Sequence, residues 1–195
     1  MSQSSARVDR LPDASGPIGV FDSGVGGITI LSDLLRELPA ERFLYYGDTG
    51  NCPYGVRPRE EIQALSLAAA RFLIDHGAKI IVVACNTASV SALAELREGL
   101  PHVKFVAVVP AVKPAAERTR TGIVGVAATE ASAHGDFLQR LIHEHAHGVR
   151  VLAAGCPRLI TMVEAGVLDG AEAEAAVRDY IGLMLREGVD ELVLG

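Results

Sequence analysis

Apolar runs of strand length alternate along this chain with segments whose apolar residues recur at helical spacing. The runs cover residues 18–21, 43–46, 80–84, 105–108, 122–126, 149–153 and 191–194. Helical patterns lie near residues 28–37, 59–76, 88–98, 131–145 and 171–187. The strand runs are continuously apolar, as in strands buried on both faces. Such strand–helix alternation predicts an α/β fold of mainly parallel sheet, with helices on both faces and right-handed crossovers. Strand–helix units occur on both sides of Gly99-Leu100-Pro101. The expected organisation is a disordered lead over residues 1–15, one α/β domain over 16–100 and a second over 101–195.

The halves carry a faint internal repeat. Gly77-Ala78-Lys79-Ile80-Ile81-Val82-Val83-Ala84 resembles Gly188-Val189-Asp190-Glu191-Leu192-Val193-Leu194-Gly195. The run 18–21 before Asp22-Ser23 has a counterpart in 123–126 before Ala127-Ala128-Thr129. Two similar half-sites would suit a reaction that treats two faces of one substrate alike.

Composition narrows the class. Hydrophobic residues make up 49% of the 195, enough for a real core and against disorder. Mean hydropathy is +0.28. Aromatics are only 5% and Trp is absent, so the core is aliphatic. The net charge of −6 comes with no Lys/Arg-rich run, which argues against a nucleic-acid surface. No apolar stretch reaches membrane-span length, and the polar N-terminus lacks a signal-peptide core. Cys52, Cys85 and Cys156 are an odd set without disulfide or zinc spacing, which fits a reduced cytoplasmic setting.

The candidate chemistry sits where strands open into helices. Asp22-Ser23-Gly24-Val25-Gly26-Gly27 allows close backbone approach to a ligand, and N–H groups at a helix start favour an anion such as a carboxylate. It is neither G-x-G-x-x-G nor a P-loop; the plainer reading is a tight turn capped by Asp22 or Ser23. Cys85-Asn86-Thr87 follows a fully apolar strand. There a thiol at a helix N-terminus is expected to have a lowered pKa and to serve as nucleophile or base. The alternative is a small buried hydrophobe, while the polar Asn86 and Thr87 can bond a ligand or cap the next helix. Gly47-Asp48-Thr49 opens a polar loop through Cys52-Pro53-Tyr54-Gly55, read as a turn or a cover over a crevice. Cys156-Pro157 reads as a buried thiol beside a helix-initiating proline. His143, His145 and His147 read as a solvated helix end, not a metal site.

Taken together, these segments resemble the glutamate racemase family. The resemblance rests on Gly19-Val20-Phe21-Asp22-Ser23-Gly24-Val25-Gly26-Gly27, Tyr46-Gly47-Asp48-Thr49 with Pro53-Tyr54-Gly55, Val83-Ala84-Cys85-Asn86-Thr87-Ala88, and Val109-Pro110-Ala111-Val112-Lys113-Pro114, in family order and spacing. It implies two similar α/β domains with substrate in a cleft between them. It also implies cofactor-independent interconversion of L- and D-glutamate, supplying peptidoglycan synthesis. Cys85 matches the first of two catalytic cysteines, and Asp22 the carboxylate that assists it. Asp22-Ser23, Tyr54-Gly55 and Asn86-Thr87 match substrate-contacting pairs. The resemblance implies no metal or cofactor and leaves a homodimer open.

Two departures stand out. The family's second cysteine lies in a Gly-Cys-Thr-His segment that would begin where this sequence stops, at Gly195. The chain is therefore expected to lack that cysteine and the C-terminal return of the first domain, and to be inactive alone. The family's Thr-x-Gly-Thr turn appears as Thr129-Glu130-Ala131-Ser132. Rival readings are an aspartate racemase, a one-cysteine decarboxylase, or a non-catalytic glutamate-binding module.

Overall fold

The computed structural model describes residues 13–195. The chain divides into two compact units, residues 1–108 and 109–195. In the first, β1 (Ile18–Asp22), α1 (Gly27–Glu37), β2 (Phe43–Gly47), α2 (Arg59–Asp75), β3 (Ile80–Val83), α3 (Asn86–Gly99) and β4 (Phe105–Ala107) follow one another. The strands form a parallel sheet in the order β2-β1-β3-β4. Strand alternation sorts its side chains between two cores. Phe21, Ile81 and Val83 pack with Ile62, Ala69, Leu73 and Leu96 of α2 and α3, whereas Ile18, Val20 and Val82 pack with Ile30, Leu31 and Leu34 of α1.

The second unit contains α4 (Val112–Arg118), β5 (Ile123–Ala128), α5 (Glu130–Ala133), α6 (Asp136–His145), β6 (Arg150–Gly155), α7 (Pro157–Glu164), α8 (Gly170–Arg186) and β7 (Glu191–Leu194). Its parallel sheet runs β6-β5-β7. Val124, Val126 and Val193 pack with Val112, Ala115 and Leu138 in its core.

Two parallel-sheet α/β units are as expected, but the division is not at Gly99-Leu100-Pro101. It falls after Val108, because the strand near 105 pairs with β3 and closes the first sheet. Residues 1–12 of the expected disordered lead lie outside the described residues. Its last residues form a turn instead: Gly16 N–H donates to Asp13 O (2.8 Å), and Arg42 and Lys79 donate to the carbonyls of Ser15 and Ala14. The helix expected over 131–145 is two, interrupted at Gly135.

The internal repeat is structural, with a corrected register. Gly19 opposes Ile81 across β1 and β3, and Gly125 opposes Leu192 across β5 and β7. Ala84 N–H donates to Phe21 O and Gly195 N–H to Ala127 O, both at 2.8 Å. Gly77 and Gly188 share the left-handed conformation, with φ of 87° and 91°. The alignment of 77–84 with 188–195 therefore holds. Asp22, however, corresponds to Ala128 rather than Ala127, and Ser23 to Thr129. A methyl group on Gly19 would approach Leu73 and Ala78, and one on Gly125 would approach Met184 and Val189, so each central strand is bare where a helix crosses it.

Candidate active site

β1 lies between β2 and β3, so the chain crosses from one side of β1 to the other between β2 and β3. The carboxyl ends of β1 and β3 flank that switch point, where open α/β sheets bind ligands. Asp22 ends β1. Cys85 lies two residues beyond Val83, on the same side of β3, and joins the core formed with α2 and α3. Asp48 follows β2, and its N–H donates to Asp22 O at 2.9 Å.

Asp22 is buried, and its Oδ2 accepts the N–H of Gly27, the first residue of α1, at 2.8 Å. The carboxylate thus caps α1 as the turn reading expects, although it precedes the formal cap position. Gly27 has to be glycine: a Cβ would lie 2.6 Å from Asp22 Cβ and 3.1 Å from Ala84 Cβ. Ser23 Oγ stands 3.2 Å from Cys85 Sγ. The sulfur also accepts the Ala88 N–H at 3.3 Å, so Cys85 itself, and neither Asn86 nor Thr87, caps α3.

The expected lowering of the Cys85 pKa is not what this environment does. Cys85 is only 4% exposed, and burial together with the negative charge of Asp22 pushes its thiol up to about 11. Hydrogen bonds from Ser23 and Ala88 pull the other way and lose. The helix N-terminus is there, but desolvation and a like charge outweigh it.

Tyr54 is 1% exposed, packed in the same core cluster as Cys85. Its hydroxyl donates to Asp48 Oδ2 at 2.6 Å, and burial and Asp48 raise its pKa. Asp48 also accepts Asn51 Nδ2, at 2.9 and 3.2 Å. The Tyr54 side chain is thus engaged within the protein. Gly55 and Asn86 are partly exposed, and Thr87 is buried in the first turn of α3. Asp48, absent from the site expected from sequence, is the group that joins the loop to β1. Its signal was Gly47-Asp48-Thr49, directly after a strand.

The corresponding positions of the second unit carry different chemistry. Cys156 N–H donates to Ala128 O at 2.8 Å, as Asp48 does to Asp22, and Cys156 directly follows β6, which runs two residues beyond the apolar run 149–153. It is buried, precedes the helix opened by Pro157, and its thiol donates to Ala154 O. Thr129 Oγ1 accepts the Ser132 N–H and donates to Ser132 Oγ, closing the turn without the family's glycine. His143 and His145 occupy the last turn of α6, and His147 lies beyond it. Among the described residues no group of His, Cys, Asp and Glu could hold a metal, and no helix is long and apolar enough to cross a membrane.

Two matched α/β units, the first with a buried thiol and carboxylate at its switch point, define a class of parallel α/β proteins with the candidate site at strand ends. The Asp/Glu/Hydantoin racemase family matches residues 23–195. The glutamate racemase of Roseiflexus sp. (strain RS-1) is 49% identical over all 195 residues, which cover 68% of its length. Glutamate racemase from Francisella tularensis, solved in complex with D-glutamate, superposes with a TM-score of 0.79 at 32% identity, over 91% of this chain and 67% of that one. The Escherichia coli enzyme, solved with L-glutamate and the activator UDP-MurNAc-ala, gives 0.80 at 31% identity, over 92% and 69%. The chain belongs to the glutamate racemases of this family, and it spans about two thirds of the length of these relatives.

Proposed function

We propose that this protein interconverts L- and D-glutamate without a cofactor, in the cytoplasm, supplying D-glutamate for peptidoglycan. The carrying observation is the convergence of Asp22, Ser23 and Cys85 at the carboxyl ends of β1 and β3, with Ser23 Oγ 3.2 Å from the sulfur. In one direction the Cys85 thiolate removes the α-proton: the Cα–H bond breaks, an S–H bond forms, and the electron pair stays on Cα and its carboxylate. An acid on the other face, a second cysteine by family resemblance, then protonates Cα. In the reverse direction the Cys85 thiol delivers the proton.

A thiol held near 11 is ready as an acid at neutral pH and needs help to act as a base. Asp22 supplies the means. An ammonium group bound beside it offsets the charge that raises the thiol, so substrate binding itself favours the thiolate. Backbone N–H groups of the Asp22-Ser23, Tyr54-Gly55 and Asn86-Thr87 segments, with the Thr87 hydroxyl, hold the carboxylates. The Tyr54 side chain serves through Asp48 instead. A homodimer is the assembly to test by light scattering.

The test is incubation of the full-length protein with each glutamate enantiomer in deuterated water, following α-deuterium by mass spectrometry and optical activity by circular dichroism. The expected result is α-deuterium incorporation that Cys85→Ala abolishes. Binding without exchange would make the protein a glutamate-binding module, and carbon dioxide release would make it a decarboxylase; either overturns the proposal.

A further inference from the structure

The Cys85 sulfur has three polar contacts: the backbone N–H groups of Ser23 and Ala88, which can only donate, and the Ser23 hydroxyl. The Ala88 nitrogen is 3.3 Å away. The Ser23 hydroxyl, 3.2 Å away, can donate or accept. The charged or titratable groups acting on the sulfur are Asp22 on β1 and Tyr54 on the loop, the latter with its proton committed to Asp48. Asp22 disfavours a thiolate, and Tyr54 already donates elsewhere. From α3 the Ala88 N–H is committed to the sulfur in both protonation states. The Ser23 hydroxyl is the one partner here whose hydrogen bond can reverse.

We propose that Ser23 is a positioning residue for Cys85, its hydroxyl accepting from the thiol S–H and turning to donate to the thiolate, so that one sulfur works as acid toward one enantiomer and base toward the other. This rests on the racemase reading above and adds to it a role for Ser23 distinct from substrate contact. The proton balance is simple. When the thiolate takes the α-proton, S–H forms as Cα–H breaks, and the serine rotor turns to accept. When the thiol gives its proton up, the rotor turns back to donate. Ser23 gains and loses no proton, and the sulfur keeps a partner at each stage.

The test separates this role from substrate binding. The Cys85 thiolate is titrated without substrate by its ultraviolet absorbance, read as the difference between each protein and its Cys85→Ser counterpart. Ser23→Ala should move the titration up by roughly one pH unit, the size expected for a lost hydrogen bond to a charged group. Ser23→Thr, which keeps the hydroxyl, should restore it. Circular dichroism checks folding of each variant, and Ser23→Gly serves if Ser23→Ala is unfolded. In deuterated water, α-exchange of both enantiomers should fall about tenfold in Ser23→Ala, in kcat more than in KM. A thiolate titration unmoved or lowered in Ser23→Ala overturns the proposal whatever the activity. A shifted titration in a protein that exchanges neither enantiomer overturns the racemase reading, and the acid–base role of Ser23 with it, while leaving the serine–thiol contact standing.

Discussion

Cys85 is governed by a contest that its neighbours decide. Burial and the Asp22 charge raise its pKa to about 11 from an ordinary 9.0. The linkage has a definite sign: a thiol whose pKa is raised on folding contributes stability that is fully present below the unfolded value and lost as pH rises through the folded one. The melting temperature should therefore fall between about pH 9 and pH 11, and Cys85→Ser should flatten that decline, as thermal denaturation followed by circular dichroism will show. Asp22→Asn removes the repelling charge and should lower the thiol titration. It should nonetheless reduce kcat of racemisation more than it raises KM, because the carboxylate helps manage the proton on Cys85, an interaction that matters most in the transition state. A variant changed only in KM would make Asp22 a binding residue alone. Cys85→Ala should cost at least about a hundredfold in α-deuterium exchange of either enantiomer, the range for losing a positioned acid or base.

At the scale of the elements, two contacts carry more than their length suggests. The α1 terminus closes on Asp22 only because Gly27 has no side chain, so Gly27→Ala should both displace the helix and loosen its cap. A cost of about 1–3 kcal/mol in chemical denaturation is expected for such overpacking. At the start of β7, Asp190 accepts the Arg120 N–H at 2.7 Å, the Thr121 N–H at 3.1 Å, and the hydroxyls of Thr119 and Thr121. These donors hold its carboxyl well below the usual range. A depressed pKa adds stability above the ordinary value of 3.8 that disappears as pH falls through the folded one. Asp190→Asn should thus lower the melting temperature at neutral pH, and the gap to wild type should close in acid. The strands and long helices were legible because their apolar periodicity reflects burial directly. Helix α4 was not, since it is short and carries Pro114 in its first turn. The break at Gly135 was hidden because Ala133 and Phe137 keep helical spacing on either side of it. The Tyr54–Asp48 contact escaped because it depends on how a loop folds back. The direction of the Cys85 pKa was misread because sequence displays a helix N-terminus but not the degree of burial that outweighs it.

Across the whole molecule, the two units share a backbone plan while their sites have diverged. The strand register equates Asp22 with Ala128, Ser23 with Thr129 and Asp48 with Cys156. The first unit thus holds carboxylates where the second has a methyl group and a thiol, and the group placed to influence Cys85 belongs wholly to the first. Its cores are equally self-contained. Phe21, Ile62, Leu73, Ile81, Leu96 and Phe105 on one face of its sheet, and Ile18, Val20 and Val82 on the other, all lie before Val108. Val112, Val124, Val126, Leu138 and Val193 likewise belong to the second unit. Helices α2 and α3 cover one face of this sheet and α1 covers the other at β1 and β3, with Val106 of β4 left 51% exposed, and cores of this extent favour independent folding. Residues 13–108, expressed alone, should therefore unfold in one cooperative transition and keep the raised Cys85 titration, because Asp22, Ser23, Ala88 and the core around the sulfur all come with them. Circular dichroism melting and the ultraviolet thiolate titration measure these two properties separately. A folded fragment whose thiol titrates near 9 would show that the environment of Cys85 depends on the rest of the chain, and a fragment without a cooperative transition would show that the first unit is not self-sufficient.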